Sequence, residues 1–209
     1  MELLLSIVVS YLIGTIPSSY IIVKLFGKKD IFEHGSGNPG ALNSFETTGS
    51  RAIGISVLIL DLVKGVAAAI LAYYLSGGFY IPFMAGLVWV IIGNNYNIFF
   101  GGKGGRGLAV AAGAFGAVSP YFVVTWLVMW LAGYYIVRKN VHIANGIALI
   151  GAMILVFSTP DAMYELFSFF PVTDYLALKI TFSLGCFVIL IRHFKPLREL
   201  AQSDNKEEK

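Results

Sequence analysis

The sequence predicts an all-α, polytopic membrane protein. Hydrophobic residues make up 57% of the 209 residues, and charged residues make up only 13%. The mean hydropathy is +0.76, which ordinary soluble domains of this size do not reach. Apolar runs recur from end to end, so we expect one helical bundle rather than a soluble domain with a single anchor.

The apolar runs predict seven transmembrane helices, because a helix needs about 20 residues to cross the hydrocarbon layer. The third and fourth are short for full spans and flank a glycine-rich loop, an arrangement typical of a site at membrane depth. All seven predicted spans together form one domain, residues 1–201, which is followed by a charged, frayed tail, residues 202–209. The predicted spans are 3–23, 53–75, 80–93, 107–118, 120–138, 143–158 and 176–192.

The distribution of cations predicts the orientation of the chain in the membrane. Thirteen of the 15 Lys and Arg residues fall in segments on one side of the predicted spans, and the loops 76–79 and 159–175 contain none. Loops rich in Lys and Arg stay in the cytosol. The N-terminus is therefore expected outside, the C-terminus in the cytosol, and the first span retained rather than cleaved as a signal peptide.

The connection between the third and fourth spans, residues 101–107, contains five glycines together with Lys103 and Arg106. Glycines let backbone N–H groups converge on one point, and the two cations supply positive charge. This pattern predicts a phosphate-binding cradle at the cytosolic face. The alternative is close helix packing by small residues, with the cations anchoring the end of a span.

A second glycine-rich segment follows the first span and reads His34-Gly-Ser-Gly-Asn-Pro-Gly-Ala-Leu-Asn43. Its composition predicts a hydrogen-bonded turn rather than a helix. Ser36 can bind a phosphate oxygen or a carbonyl oxygen in such a turn. An ordinary turn without a ligand is the alternative interpretation.

Four ionisable residues lie inside or at the ends of predicted spans. Asp61 and Lys64 are three positions apart in the second span and are expected to pair inside the bundle, as a brace rather than a catalytic pair. His142 and His193 lie at cytosolic ends of spans. The helix dipole favours a histidine there, and general acid–base catalysis is the functional alternative.

Other residue types give weaker signals. No set of His, Cys, Asp and Glu has the spacing of metal ligands, so we expect no metal site. The single Cys186 is expected to be packing filler. Trp89, Trp126 and Trp130 are expected to be interfacial or packing residues.

Five motifs follow one another along nearly the whole chain. They are Tyr11-Leu-Ile-Gly-Thr-Ile-Pro17 with Lys24-Leu-Phe-Gly27, the His34–Asn43 segment, Asp61-Leu-Val-Lys-Gly65, the block from Gly93 to Gly107, and Arg192-His193. In this order they resemble the bacterial acyl-phosphate:glycerol-3-phosphate acyltransferases, the PlsY family.

The resemblance implies transfer of a fatty acyl group from acyl-phosphate to the sn-1 hydroxyl of glycerol-3-phosphate, giving lysophosphatidic acid for phospholipid biosynthesis. It implies a multi-pass protein of the bacterial plasma (inner) membrane with its site facing the cytosol, without cofactor or nucleic acid, and it names no protein partner. The catalytic residues it implies are Ser36, Lys103 and His193. The substrate-binding residues expected beside them are Gly35, Gly37, Asn38, Gly40, Asn43, Gly102, Gly104, Gly105, Arg106, His142 and Asn145.

The chain also departs from the family pattern at polar positions. The most consequential change places Glu46 where the family has an arginine, because a carboxylate repels a phosphate that a guanidinium would bind. The other changes are Leu42 for threonine, Asn94 for histidine, Asn97 for proline, His142 and Asn145 for two hydroxyl residues, and Pro196 for asparagine.

These changes leave three interpretations open. In the first, the acyltransferase site has been rebuilt, with Arg51 or His142 assuming lost roles. In the second, the acyl acceptor is another molecule, such as an amine that Glu46 would favour. In the third, the chain is an inactive relative that binds lipid or holds a partner. A transporter with Asp61 and Lys64 as a gate is a weaker alternative, because no inverted repeat is evident.

Overall fold

The structure is a computed structural model that describes the backbone of residues 1–207 and the side chains through residue 203. Every regular element in that part of the chain is helical. The α-helices are α1 (Glu2–Gly14), α2 (Ser18–Ile22), α3 (Ala41–Thr48), α4 (Arg51–Leu75), α5 (Tyr80–Asn95), α6 (Leu108–Val118), α7 (Pro120–Ala132), α8 (Val141–Ser158), α9 (Asp161–Phe167) and α10 (Tyr175–Glu207). The π-helical turns Val23–Gly27 and Gly133–Val137 extend α2 and α7, and a 3₁₀ turn at Ile98–Phe100 follows α5.

Six helical segments within the described residues are long and apolar enough to cross a membrane. They are Glu2–Gly27, Arg51–Leu75, Tyr80–Phe100, Pro120–Val137, Val141–Ser158 and Tyr175–Ser203. The fourth predicted span, 107–118, corresponds to α6, whose 11 residues rise only about 16 Å. The predicted bundle of apolar helices is confirmed, with six spans of full length and one short helix.

The first predicted span, 3–23, lies within the candidate span Glu2–Gly27, and its helix is interrupted at Thr15–Pro17 between α1 and α2. Proline lacks the N–H that would continue the helix and clashes with the preceding turn. The third span is also longer than predicted, because the 3₁₀ turn extends it to Phe100. Two glycine-rich connections, residues 28–40 and 101–107, lie together at one end of the bundle, which we call the loop end.

The last helix is longer than predicted and runs to Glu207. Pro196 lies within it. A proline inside a helix removes one hydrogen bond, here the one to the carbonyl of Arg192. The expected tail thus starts as a continuation of α10, its last two residues lie outside the described part of the chain, and the domain boundary at residue 201 stays a prediction.

The C-terminal end of the short helix α6 is bound by the segment that follows α8. The amide of Phe169 donates to the carbonyl of Val118, the last residue of α6, at 2.9 Å. Lys179 binds Asp161 at 2.7 Å and the carbonyl of Thr159 at 3.0 Å, which fastens α9 to α10. Helix α9, absent from the sequence prediction, packs against α7, where Tyr164 contacts Phe122, and the residue that binds the end of α6 follows α9.

Glycines bring the site-bearing helices unusually close. A methyl group at Gly65 of α4 would lie 2.2 Å from the carbonyl oxygen of Val110, and one at Gly113 of α6 would lie 2.1 Å from that of Leu62. The two glycines thus face each other's backbones, as small residues do in membrane helix pairs. This contact fixes the start of α6, where the second glycine-rich loop ends.

Candidate active site

The first glycine-rich connection is folded around the buried amide of Asn43. Its Oδ1 accepts from the N–H of Ser36 at 2.9 Å, and its Nδ2 donates to the carbonyl of His34 at 3.2 Å. Gly35 has φ +61°, and a methyl group there would lie 2.1 Å from Asn43 Oδ1. Asn43 therefore holds the loop in a shape that leaves Ser36 exposed, and it acts through the loop rather than on a ligand.

The second glycine-rich loop uses many of its amides internally. The N–H groups of Gly101, Gly102 and Lys103 donate to carbonyls of the 3₁₀ turn and its cap, and the N–H of Gly105 donates to the carbonyl of Asn94 at 2.9 Å. This differs from the predicted cradle, in which the loop amides converge on a phosphate. Fewer backbone amides are thus free to meet a phosphate, and the side-chain cations carry more of the positive charge at the loop.

Arg192 of α10 holds this loop in place. Its Nη2 donates to the carbonyl of Gly104 at 2.6 Å, and its Nε donates to that of Gly105 at 3.3 Å. Gly104 cannot carry a side chain, because a methyl group would lie 2.2 Å from the carbonyl oxygen of Asn94. The loop is thus held between α5 and α10, a role of Arg192 that the sequence did not predict.

A buried polar network supports the loop end behind the two loops. Lys64 Nζ lies 2.8 Å from Asp61 Oδ1, so the predicted intrahelical pair forms. The same ammonium donates to Asn94 Oδ1 at 2.8 Å and to the carbonyl of Ile16 at 3.0 Å. Asn97 Nδ2 donates to the carbonyl of Thr15 at 2.7 Å.

Two carbonyls freed by the break in the first span thus gain polar partners from α4 and from the residues after α5. Unpartnered backbone groups at membrane depth are expensive, so this network makes the break tolerable. Asn94 and Asn97, two departures from the family pattern, both take part in it.

A cation-rich opening, here called the polar cleft, lies between the two glycine loops and α10. Its volume is about 1220 Å³ including open solvent. Four cations line it, against one carboxylate, Glu199. The cations are Lys103, Arg106, Arg192 and Lys195, and the neighbouring polar lining includes Ser36, Gly37, Asn38, Gly102 and Gly104.

A second opening of about 870 Å³, the central cleft, lies deeper between the helices. Asn38, Pro39 and Arg106 line both openings, so the two clefts meet there. The central cleft combines polar groups with apolar and aromatic walls. Its lining includes Gly40, Asp61, Asn94, Gly105, Asn145 and His193 among the polar positions, and Leu42, Leu58, Leu108, Trp126 and Trp130 among the others.

A chain of three hydrogen-bonded side chains closes one wall of the central cleft. The indole N–H of Trp130 donates to Asn145 Oδ1 at 2.8 Å, which turns Asn145 Nδ2 toward His193 Nε2 at 3.4 Å. His193 Nδ1 lies 2.9 Å from the carbonyl of Ile189 and must be its donor. The buried imidazole is therefore neutral with its proton on Nδ1, and Asn145 occupies the nitrogen that a general base would use.

Arg106 stands at the junction of the clefts next to His142, with Arg106 Nη1 3.3 Å from His142 Nδ1. Because a guanidinium only donates, His142 accepts through Nδ1. Burial, followed by the charge of Arg192, lowers the pKa of Arg106, whereas Glu199 and Glu46 raise it. An arginine stays charged at neutral pH despite such a shift, so Arg106 supplies a cation where the two clefts meet.

The structure brings most of the predicted site residues together at the loop end. Ser36, Lys103 and three of the predicted glycines line the polar cleft, whereas His193, Asn145 and two further predicted glycines line the central cleft. Arg106 and Asn38 line both. Three predicted binding residues do not line either cleft: Gly35 and Asn43 shape the first loop, and His142 contacts Arg106.

The residues that sequence reasoning missed are Arg192, Lys195, Trp126 and Trp130. The two tryptophans were expected to serve packing or the interface, yet both line the central cleft. The available sequence signal for Arg192 was that this cation is adjacent to His193. Its position along α10 did not indicate that its side chain reaches the second glycine-rich loop.

Comparisons with known proteins agree with this arrangement. The family model described as glycerol-3-phosphate acyltransferase matches residues 4–203. A glycerol-3-phosphate acyltransferase of Enterococcus faecalis is 32% identical over 200 residues, covering 96% of this chain and 89% of that protein. Glycerol-3-phosphate acyltransferase 2 of Moorella thermoacetica is 42% identical over 129 residues, covering 62% and 65%.

Two solved structures have the same fold. They are crystal structures of PlsY, an integral membrane glycerol 3-phosphate acyltransferase, in its glycerol 3-phosphate form and in its lysophosphatidic acid form. The TM-scores are 0.79 and 0.78, at 29% and 28% identity, covering 97% of this chain and 94% and 93% of those chains. The chain therefore belongs to the glycerol-3-phosphate acyltransferase family and is a membrane acyltransferase.

Proposed function

We propose that the protein transfers a fatty acyl group from acyl-phosphate to the sn-1 hydroxyl of glycerol-3-phosphate and releases lysophosphatidic acid and inorganic phosphate. The observation that carries this proposal is the meeting of the two clefts at Arg106. The polar cleft supplies four cations, and the central cleft supplies apolar walls. Both substrates carry a phosphate, and one carries a hydrocarbon chain, so each cleft matches one part of the reaction.

The phosphates bind the side-chain cations rather than a cradle of loop amides. Lys103 is exposed at the rim of the polar cleft and acts as a mobile positive charge, whereas Arg192 is held by the loop carbonyls and contributes a fixed one. A guanidinium and an ammonium bind phosphate through charge-assisted hydrogen bonds, which are stronger than neutral ones. Ser36 donates its hydroxyl to a phosphate or carbonyl oxygen on the opposite rim.

The chemical step is an attack of the acceptor hydroxyl on the acyl carbonyl carbon. A new ester C–O bond forms, the C–O bond to phosphate breaks, and the hydroxyl proton leaves with the departing phosphate. A route through His193 requires Asn145 to release the Nε2 atom first. Oriented donors around the cleft stabilise the tetrahedral oxyanion. Holding both substrates in one cavity supplies much of the acceleration by proximity.

The reaction is proposed to face the cytosol of a bacterial plasma (inner) membrane, with the N-terminus outside and the C-terminus inside. The concentration of Lys and Arg at the loop end supports this orientation. Because Cys186 is buried, single cysteines at the exposed positions Ala162 and Ser203 report the two sides. A membrane-impermeant maleimide should label A162C in intact cells and S203C only after permeabilisation, and the reverse pattern would refute the orientation.

The test of activity uses purified protein, palmitoyl-phosphate and glycerol-3-phosphate, next to a panel of amine and alcohol acceptors. Lysophosphatidic acid should form, and Lys103→Ala should abolish turnover. Lys139→Ala, which removes an exposed cation from the connection between α7 and α8, is the matched control and should leave turnover unchanged. Transfer only to another acceptor would indicate a changed specificity through Glu46. No transfer by folded protein would favour an inactive relative that binds lipid.

A further inference from the structure

The hydrogen-bonding capacity of the buried pair Asp61 and Lys64 is unevenly used. The ammonium of Lys64 lies 2.8 Å from Asp61 Oδ1. It also donates to Asn94 Oδ1 at 2.8 Å and to the carbonyl of Ile16 at 3.0 Å. A lysine has three N–H donors. Lys64 therefore faces one acceptor for each of its donors and keeps none for a substrate.

The carboxylate of Asp61 is much less occupied. Among the described residues, the Lys64 ammonium at Oδ1 is its sole hydrogen-bonding or ion-pair partner. A carboxylate has about four acceptor sites on its two oxygens, so most of this capacity is left over. The side chain is only 9% exposed, and buried polar groups are normally hydrogen-bonded. Such a carboxylate indicates a ligand that brings its own donors.

Asp61 lies where such a ligand can reach it. It lines the central cleft and also a small polar pocket beside the break in the first span, here called the Asp61 pocket. The exposed Lys103 lines the same pocket from the second glycine-rich loop. Pro39 lines this pocket and both clefts, so the three openings adjoin. One end of the pocket therefore attracts a phosphate, and the other attracts hydrogen-bond donors.

The charges decide which chemical group meets Asp61. A carboxylate repels a phosphate, so the phosphate belongs at Lys103. Lys64 already neutralises the carboxylate, so an ammonium would gain little there. A hydroxyl donates to a carboxylate in a charge-assisted hydrogen bond and adds no charge. Glycerol-3-phosphate carries a phosphate, a primary hydroxyl that the acyl transfer consumes, and a secondary hydroxyl that stays free.

We propose that Asp61 accepts a hydrogen bond from the secondary hydroxyl of glycerol-3-phosphate and thereby selects it over phosphates that lack this group. The proposal rests on the proposed function for the nature of its ligand. The phosphate lies toward Lys103, the secondary hydroxyl points to Asp61, and the primary hydroxyl faces the central cleft, where the acyl carbon is attacked. Lys64 holds the carboxylate in place, so the pair serves as a brace and also determines specificity.

Two acyl acceptors that differ by this one hydroxyl test the proposal. 3-Hydroxypropyl phosphate keeps the phosphate and the primary hydroxyl of glycerol-3-phosphate and lacks the secondary one. The measured quantity is the ratio of kcat/KM for the two acceptors at saturating palmitoyl-phosphate. The wild type should prefer glycerol-3-phosphate about tenfold to hundredfold, as expected for a hydrogen bond to a charged group. A wild-type ratio near one would overturn the proposal without any variant.

Two variants separate recognition of the hydroxyl from the bracing role. Asp61→Leu/Lys64→Met removes the carboxylate together with its counter-charge and should bring the ratio close to one. Asn97→Ala removes the donor to the carbonyl of Thr15 from the same network and keeps the carboxylate. This control should lower stability and leave the ratio unchanged. An equal loss of kcat/KM for both acceptors in the double variant would show a brace alone and overturn the proposal.

Binding measured without the acyl donor separates this proposal from the proposed function. Isothermal titration of the wild type should give a lower Kd for glycerol-3-phosphate than for 3-hydroxypropyl phosphate, and the double variant should bind the two alike. If no acyl group is transferred and this difference in Kd persists, the proposed function fails and the role of Asp61 stands. If the wild type binds and acylates both acceptors equally well, the role of Asp61 fails and the acyltransferase function stands.

Discussion

The guanidinium of Arg192 donates to the carbonyl of Gly104 at 2.6 Å, across 88 positions of sequence. This contact joins the last helix to the loop that bears Lys103. Two nitrogens of the guanidinium donate to the two adjacent carbonyls of Gly104 and Gly105. The position of Lys103 in the polar cleft therefore depends on a side chain from the other end of the chain.

Arg192→Lys should weaken substrate binding although it preserves the charge. A lysine ammonium cannot reproduce the planar fork that meets both carbonyls. Loss of charge-assisted hydrogen bonds costs about 1.5–3 kcal/mol each, which predicts a tenfold to hundredfold increase in KM for glycerol-3-phosphate. Steady-state kinetics at saturating acyl-phosphate measure this. A KM equal to that of the wild type would show that the loop holds its shape without the clamp.

Gly35→Ala should abolish activity, because the new methyl group would lie 2.1 Å from Asn43 Oδ1 and break the amide contacts that shape the first loop. Part of any effect arises from the positive φ alone, which an alanine rarely adopts. Gly49→Ala separates the two causes, since Gly49 has φ +70° with no atom within 4 Å of the added methyl group. The control should retain most of the transfer activity, and equal losses in both variants would remove the special role of Asn43.

Lys64→Met should destabilise the protein strongly, because Asp61 would stay buried without its partner. Breaking a buried ion pair from one side costs about 3–5 kcal/mol. The double variant Asp61→Leu/Lys64→Met removes both charges and should recover part of the melting temperature measured in detergent. Ile16 and Asn94 still lose a donor in the double variant, so recovery should be incomplete. A double variant less stable than Lys64→Met would contradict the brace.

A conservative substitution of His193 by glutamine distinguishes a role in positioning Asn145 from a role as general base. A glutamine at this position can still accept from Asn145 through its side-chain oxygen but cannot serve as a base near neutral pH. If His193 positions Asn145, His193→Gln should retain activity within about tenfold and His193→Ala should lose more than about a hundredfold. If His193 is the general base, both variants should fall by about 10²–10⁴. Turnover rates of both variants at saturating substrates decide between these roles.

The positions of the membrane helices could be predicted from the sequence because hydropathy is a local property. The helices α4, α6 and α8, and the span Pro120–Val137 that α7 forms with its π-helical turn, agree with their predictions within two residues at each end. The pairing of Asp61 with Lys64 was equally local, since three positions along a helix place two side chains on one face. The composition of the two glycine-rich segments also predicted non-helical connections, which is right for 101–107 and for most of His34–Asn43, although α3 already begins at Ala41.

Tertiary structure alone decided how the loops are held and what remains free to bind. The break at Pro17 is tolerable only because Lys64 and Asn97 reach carbonyls 48 and 82 positions away. Four of the seven loop amides donate within the protein, so the side-chain cations carry more of the positive charge than the sequence predicted. A hydrogen bond between residues so far apart in sequence depends on how the helices pack. The type of a side chain does not reveal which residues will lie next to it in the packed bundle. For the same reason the sequence determined where this chain crosses the membrane, whereas only the packed bundle decided that Arg192, Trp126 and Trp130 belong to its site.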